Sequence, residues 1–504
     1  MKRQYFLLSA VLALCVTACT GNKPDNSQPD SKPKNEPAVT PTTEVAFAEL
    51  TDDDLCMVPS YVKSYIDQMK EQETQLTFPN RVDSLFCNMS WSEAAGKSDK
   101  GDGTTYSDAE SGGVDVCQLL SRSQKYECKP LEIKWESNED FAGGKVLAWS
   151  REDKSDMREF AVEADGASAK LINLFRNTKY YFQVVDADET NASQMGNFVT
   201  GDYTRMITMG DISNVRDMGG YQTSYGGRIN QGYIYRGGEM APADFTDGSN
   251  RHSKNWTDAA QEVQTSTLNI GLELDLRTKS GSGNMTESPL AFDGDWEFEN
   301  TYPNPSKENA NGRAQYVRCA INSYDSLITD PNRKSEADNA NRNLVKEIFE
   351  YLANADKQHV YFHCWGGADR TGVTGFLLLG ILGASYTDAI IDFELTTLTN
   401  NKRCHMHNSQ NAHMPKFLNQ FVSGYTFTRD GEEFKYEFDP DATLNVNSTN
   451  LLLAMGVEME TIEKIRSFMI PNYQPGMEEV EQENKPWSGL AKVIENLPVC
   501  DCCE

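Results

Sequence analysis

The sequence predicts two folds in series: an all-β sandwich, then an α/β domain with a largely parallel sheet flanked by helices. Three observations carry this expectation. Between 131 and 200, short runs alternate in the strand manner at even spacing: Leu131-x-Ile133-x-Trp135, Val146-x-Ala148, Phe160-x-Val162 and Tyr180-x-Phe182-x-Val184. From about 207 onward, strand-like and helical runs alternate, which implies parallel strands with a site at their C-terminal ends. Finally, the apolar run His359-Val360-Tyr361-Phe362 passes through a loop with two glycines into a longer apolar run, Val373 to Leu382, that reads as a buried helix.

Taken in order, residues 1–19 read as a targeting segment. Lys2 and Arg3 form a basic start, and the apolar stretch Phe6 to Val16 is too short to span a bilayer comfortably. Val16-Thr17-Ala18-Cys19 resembles the lipobox of bacterial lipoproteins, in which Cys19 would carry the lipid; a plain secretory signal is the alternative. The resemblance implies an extracytoplasmic protein of the bacterial cell envelope, lipid-anchored to a membrane, with the outer membrane or cell surface as possible sites. Residues 20–45 are polar and proline-bearing and read as a disordered tether. A net charge of −28 over 504 residues argues against nucleic acid or an anionic membrane as partner of the protein body.

Residues 46–205 form an N-terminal region. Ser60 to Gln72 has helical spacing (Val62, Ile66, Met69). Gly96-Lys97-Ser98 suggests a nucleotide loop, but Trp91 stands where that motif needs its first glycine. Within 128–202, the segment Leu174-Phe175-Arg176-Asn177-Thr178-Lys179-Tyr180-Tyr181-Phe182 resembles the turn and strand of fibronectin type III domains that carry the corner tyrosine. The resemblance implies a fibronectin/immunoglobulin-like sandwich with a spacer or docking role. Cys117 and Cys128 flank its start, and an oxidising compartment would permit them to pair.

The α/β domain is expected over 206–470. Gly226 and Gly227 read as a hairpin turn, with Tyr233 to Arg236 as the returning strand. Leu272-Glu273-Leu274-Asp275-Leu276-Arg277 reads as a core strand ending in a charged turn, and Asn341 to Ala353 as an amphipathic helix. Gly383 stops the helix after the loop, and Ser385 or Thr387 caps the next. Leu451 to Val457 and Ile462 to Arg466 give two further helices around Gly456. Residues 400–440 are polar and read as an insertion, a lid or solvated loop; Cys404, His405, His407 and His413 lie there, but their spacing fits no standard zinc pattern. Residues 471–504 read as an acidic, Cys-rich tail, and Cys500-Asp501-Cys502-Cys503 is spaced too tightly for a metal site of its own.

The chemistry concentrates in His363-Cys364-Trp365-Gly366-Gly367-Ala368-Asp369-Arg370-Thr371-Gly372. A strand, a tight loop and a helix start converge backbone N–H groups on one point, where the positive end of the helix dipole adds its field. Gly366 and Gly367 supply the left-handed conformations such a loop needs. The planar guanidinium of Arg370 can hold two phosphate oxygens at once. The same field favours a thiolate at Cys364. A thiolate beneath a phosphate, clamped by arginine, is arranged for phosphoryl transfer to sulfur.

This pattern resembles the His-Cys-x5-Arg-Thr-Gly signature of cysteine-dependent protein tyrosine phosphatases, and its fuller form resembles the bacterial secreted tyrosine phosphatase branch with dual-specificity-like character. Asn214-Val215-Arg216-Asp217-Met218-Gly219-Gly220 and Tyr235-Arg236-Gly237-Gly238-Glu239 are similar to that branch's N-terminal signature. Arg216 and Arg236 could line a positive rim, but structural ion pairs are their favoured role.

The resemblance implies Cys364 as nucleophile, Arg370 as phosphate clamp and Trp365 to Thr371 as the phosphate-binding loop. Thr371 and His363 would support the thiolate. Asp369 would be the general acid, with Asp275 as competitor and otherwise a supporting carboxylate. Neither step needs a metal or cofactor, and the substrate would be a phosphorylated protein or a small phosphomonoester. Ala368 stands where many branch members have Lys, which weakens the alternative of a phosphoinositide or inositol phosphate phosphatase. A second alternative, a catalytically weak surface module that only binds phosphorylated ligands, is opposed by the intact Cys364, Arg370 and Thr371.

Overall fold

In the computed structural model, the described residues are 37–59, 128–240, 256–277, 314–319, 336–396, 413–429 and 432–480, with 62, 63, 66, 67, 70 and 321. The expected leader with Cys19, most of the tether, Cys117, Cys404, His405, His407 and the Cys500–Cys503 cluster lie outside them.

The N-terminal region comprises β1 (Ala46–Phe47), α1 (Asp52–Leu55), β2 (Leu131–Glu136), β3 (Lys145–Trp149), β4 (Arg158–Ala161), β5 (Ser168–Leu171), β6 (Lys179–Val185) and β7 (Gly196–Val199). They form two antiparallel sheets, ordered β1-β2-β5 and β4-β3-β6-β7. The period-2 pattern explains the core between them: Ile133 and Trp135 from one sheet join Val146, Phe182 and Val184 from the other. The Tyr180 hydroxyl accepts a hydrogen bond from Phe175 N at 3.0 Å, folding the turn back onto its strand.

The start of the N-terminal region differs from the expectation. The tether does not run to 45: Val39 N donates to Gln183 Oε1 at 2.9 Å, and Thr42 N and Thr43 N both donate to Ala192 O. A Gln183 side chain and the Ala192 carbonyl satisfy these N–H groups, so a segment with little to bury is still held. Cys128 is a buried free thiol that lines a cavity together with Cys56, and burial pushes it up to about 11.

The second part comprises β8 (Arg216–Asp217), β9 (Ile234–Gly237), α2 (Asp258–Glu262), β10 (Ile270–Asp275), β11 (Gln315–Arg318), α3 (Glu336–Leu352), β12 (His359–His363), α4 (Asp369–Ile381), α5 (Tyr386–Leu395), α6 (His413–Ser423), β13 (Tyr425–Arg429), β14 (Glu432–Tyr436), α7 (Leu444–Ala454) and α8 (Met459–Met469). One sheet runs β11-β10-β12-β9-β8; the first four strands are parallel and β8 is antiparallel to β9. Every residue of β10 is buried, as expected of a strand covered on both faces. Every residue of α4 is buried too.

The expected turn at Gly226–Gly227 is present, with φ of 89° and 78°. Ser385, not Thr387, caps α5, its Oγ accepting from Asp388 N at 3.0 Å. The helix α4 starts at Asp369, four residues before the expected Val373, so Arg370 and Thr371 sit in its first turn.

The polar stretch 400–440 is not a solvated loop where it is described. In α6, Phe417 and Phe421 meet Phe376 of α4 edge to face, with ring centroids 5.3 and 5.5 Å apart. Nor does the domain stop at 470. Tyr473 is buried, Val480 N donates to Ser224 O at 2.7 Å, and Glu479 accepts from Thr443 Oγ1 at 2.8 Å. No helix among the described residues is long and apolar enough to cross a membrane.

Candidate active site

Sheet register brings the site together. His363 at the end of β12 lies opposite Asp275 of β10 on one side and Gly237 of β9 on the other. The loop Cys364 to Ala368 leaves this shared C-terminal edge and turns directly into α4.

The loop is held from behind by its carbonyls. Glu239 N donates to Trp365 O at 3.0 Å, and Asn214 Nδ2 donates to Gly366 O at 3.0 Å and Gly367 O at 3.1 Å. Arg236 Nη2 also donates to Gly367 O, at 2.8 Å. In a trans peptide the C=O and the next N–H point in opposite directions. Pinning three carbonyls outward therefore turns the N–H groups of Gly366, Gly367 and Ala368 inward, toward the start of α4, whose dipole favours an anion there. Only Gly367 of the two glycines is left-handed (φ 65°), and a Cβ there would lie 2.3 Å from Gly237 O. The expectation of two left-handed glycines reduces to one; the carbonyls on either side of Gly366 are oriented by Glu239 N and Asn214 Nδ2.

Cys364 is buried beneath this cradle, 1% exposed. Arg370 is buried in the first turn of α4, and its Nη1 donates to Leu276 O at 3.0 Å and Ile321 O at 3.3 Å, which fixes the plane of the guanidinium. Asp369 shares that turn and is 5% exposed, and Ala368 is buried without a cationic side chain. Thr371 Oγ1 is buried and has no hydrogen-bond partner among the described residues, so it is available to a group in the cradle. Trp365 lies under the guanidinium of Arg277, 5.1 Å from ring centroid to Cζ.

His363 and Asp275 belong to a charge layer below the loop. His363 has Nδ1 2.9 Å from Cys364 O and Nε2 2.8 Å from Glu273 Oε1, so both ring nitrogens face acceptors. Burial alone would lower its pKa; Asp275 and Glu273 outweigh this and raise it, favouring an imidazolium beside Cys364. Asp275 is fully buried, which by itself would raise its pKa. Arg277 and His363 reverse this and hold it at about 2. It accepts from Arg277 Nε at 2.8 Å and from the Tyr316 hydroxyl. A carboxylate so held carries no proton near neutrality.

Arg216 and Arg236 are fully buried and form no rim. Arg216 Nε donates to Asp392 Oδ1 at 2.7 Å, and Arg236 Nη1 donates to Asp392 Oδ2 at 2.5 Å. Arg216 also donates to Asn214 Oδ1, orienting the amide whose Nδ2 holds the loop. The site roles of Asp392, Glu273 and Arg277 escaped the sequence reading. The available signal was a charge inside an apolar run: Asp392 interrupts Ile390-Ile391 and Phe393, and Glu273 alternates with Leu272 and Leu274. Of the expected histidine cluster, only His413 is among the described residues, at the start of α6.

The sequence model of the tyrosine phosphatase family matches residues 207–481, more than half of the chain. No curated protein matches. Among solved structures, the core catalytic domain of the PP-IP phosphatase SIW14 from S. cerevisiae, in complex with citrate, is similar at 12% identity; the match covers 37% of this chain and 80% of that one, with a TM-score of 0.21. A buried cysteine under a cradle of inward amides and a clamped arginine, inside the matched span, leads to one conclusion: the chain belongs to the tyrosine phosphatase family and is a cysteine-based phosphatase.

Proposed function

We propose that the chain is a protein tyrosine phosphatase, or one of dual specificity, working through a cysteinyl-phosphate intermediate. The supporting observation is the set of three loop carbonyls, Trp365 O, Gly366 O and Gly367 O, all bonded from behind so that the amides face the space above Cys364. The sulfur of Cys364 attacks phosphorus in line. The S–P bond forms as the bond to the leaving oxygen breaks, while the amides and Arg370 hold the equatorial oxygens. Asp369, at the loop's end, delivers the proton to the leaving oxygen, and the Thr371 hydroxyl stabilises the sulfur as it departs. Water then hydrolyses the thiophosphate. The uncharged Ala368 in the buried loop speaks against a polyanionic phosphoinositide as the preferred substrate. The Tyr180 hydroxyl bond and the two antiparallel sheets support a fibronectin type III-like reading of the N-terminal region. Lipid attachment at Cys19 in a bacterial envelope completes the proposal, on the leader sequence alone.

The test is the initial rate on phosphotyrosine peptide, phosphoserine peptide and phosphoinositide vesicles, with chelator present, for the wild type and Cys364→Ser. Hydrolysis favouring phosphotyrosine, abolished in the serine variant while phosphate still binds, is the expected result. Turnover by Cys364→Ser near the wild-type rate would sink the assignment.

A further inference from the structure

The N-terminal region is joined to the catalytic domain by more than a linker. Arg205, in the stretch between the two, has its guanidinium divided between them: Nε donates to Leu174 O at 3.1 Å, Nη2 to Asn173 O at 2.8 Å, and Nη1 to Asp217 Oδ2 at 2.6 Å. Its Cζ also sits 4.1 Å from the ring centroid of Phe175. Arg205 and Asp217 are both buried, with side chains 3% and 0% exposed. Asp217 is in turn the acceptor for Gly219 N and Gly232 N, both at 2.8 Å, so its carboxylate sets the path of the chain between β8 and β9.

The backbone continues the connection. Asp217 N donates to Arg205 O and Ile207 N to Val215 O, which pairs 205–207 with 215–217. Arg216, which holds the Asp392 carboxylate, lies in that paired segment, and Asn214, which holds the loop carbonyls, directly precedes it. A second route runs from Arg176, whose guanidinium lies 4.9 Å from the Tyr221 ring; the Tyr221 hydroxyl reaches Asp392 Oδ1 at 3.5 Å. Arg176 also exchanges two bonds with Gln231, donating its N–H to Oε1 at 2.9 Å and accepting from Nε2 at 3.0 Å. Asn173 does the same with Thr208, at 2.9 and 2.7 Å.

We infer that the N-terminal region is a working part of the phosphatase, and that Arg205 is a positioning residue that sets the amide cradle through Asp217 and Asn214. The inference rests on the phosphate-loop reading above and replaces the spacer role expected from the sequence. Its physical basis is that a buried carboxylate stays where its one guanidinium partner holds it; removing the partner leaves an uncompensated charge that must move or draw in water. Loop geometry is what an in-line transfer is most sensitive to, since small misplacements cost rate out of proportion to stability.

The experiment compares full-length wild type, Arg205→Ala, Arg205→Lys and Arg158→Ala on p-nitrophenyl phosphate, well below each variant's Tm, with inorganic phosphate as competitive probe. Arg158 is the control, because its Nη1 donates to Ile172 O at 2.9 Å and Asn173 O at 3.1 Å, both within the N-terminal region rather than at Asp217. Arg205→Ala should lower kcat by about 10-fold or more and weaken phosphate inhibition, with KM moving less. Arg205→Lys should recover part of the loss, and Arg158→Ala should lower Tm with kcat unchanged. If Arg205→Ala does not fold, the lysine variant carries the comparison, through a kcat reduced at constant folded fraction. Wild-type kcat and phosphate inhibition in both Arg205 variants overturns the inference, as does an equal loss of kcat in Arg158→Ala. A wild type that is active, with an inactive Cys364→Ser, separates that outcome from failure of the phosphate-loop reading itself.

Discussion

Replacing Asp392 with Asn is the sharpest test of how the site is held. Its carboxylate is fully buried, with Arg216 on one oxygen at 2.7 Å and Arg236 on the other at 2.5 Å. Burial alone would raise its pKa; the two guanidiniums overcome this and keep it below the ordinary carboxylate range, so the side chain is charged. An amide of the same shape can accept from only one of the two, and its NH₂ then faces the other cation. Breaking a buried charge pair by removing one partner costs about 3–5 kcal/mol. For a domain of this size each kcal/mol corresponds to about 2–4 °C, so Tm should fall by roughly 6–20 °C. Arg236 also bonds Gly367 O and Arg216 orients Asn214, so the cradle loosens with them and kcat should drop by about 10²-fold. Thermal unfolding by circular dichroism, paired with p-nitrophenyl phosphate kinetics at 20 °C or below, reads both. A Tm within about 1 °C of wild type, where this reasoning requires several degrees, would refute it.

Further outcomes follow from the same geometry. Asp369→Asn should cost little on p-nitrophenyl phosphate and much more on phosphotyrosine, because a proton donor matters when the leaving oxygen is basic; Asp275→Asn should lower rates on both alike, through Arg277. The reverse pattern would make Asp275 the acid. Gly367→Ala must place a methyl group 2.3 Å from Gly237 O at a φ of 65°, so kcat should fall by at least about 10-fold; an unchanged kcat would mean the loop adopts another path. Asp275, held at about 2 against an unfolded value near 3.8, contributes about 2 kcal/mol that is present above pH 4 and lost as pH falls through 2. Urea unfolding across pH 2–5 should therefore show a shallower acid loss in Asp275→Asn than in wild type, and equal slopes would count against the ion pair.

Much of this protein was legible in its residues. The strand, glycine loop and helix start around Cys364 were visible because the change from a short apolar run to a long one is local in sequence, and Gly367 and Arg370 sit at the spacing the chemistry requires. Alternation gave the strands of the N-terminal sheets, since a half-buried strand records its environment every second residue. The capping of α5 remained open between Ser385 and Thr387, because either hydroxyl could serve and only the local backbone path selects one. Polarity misled over 413–436: polar residues that outnumber the aromatics read as a loop, yet Phe417 and Phe421 are enough to anchor a helix on α4.

What tertiary structure alone decided is the partner of each charge. Asp392 lies more than 150 positions from both Arg216 and Arg236, and Glu273 is 90 positions from His363. Nothing in the local pattern of either residue names its partner, because the pairing comes from sheet order and helix placement. The same holds for Arg205, whose three hydrogen bonds reach Leu174, Asn173 and Asp217. A motif states which groups must act on the phosphate. Which buried cation or amide holds each of them is set by chain segments that meet only after folding, where the low-dielectric interior makes an unpaired charge too costly to leave.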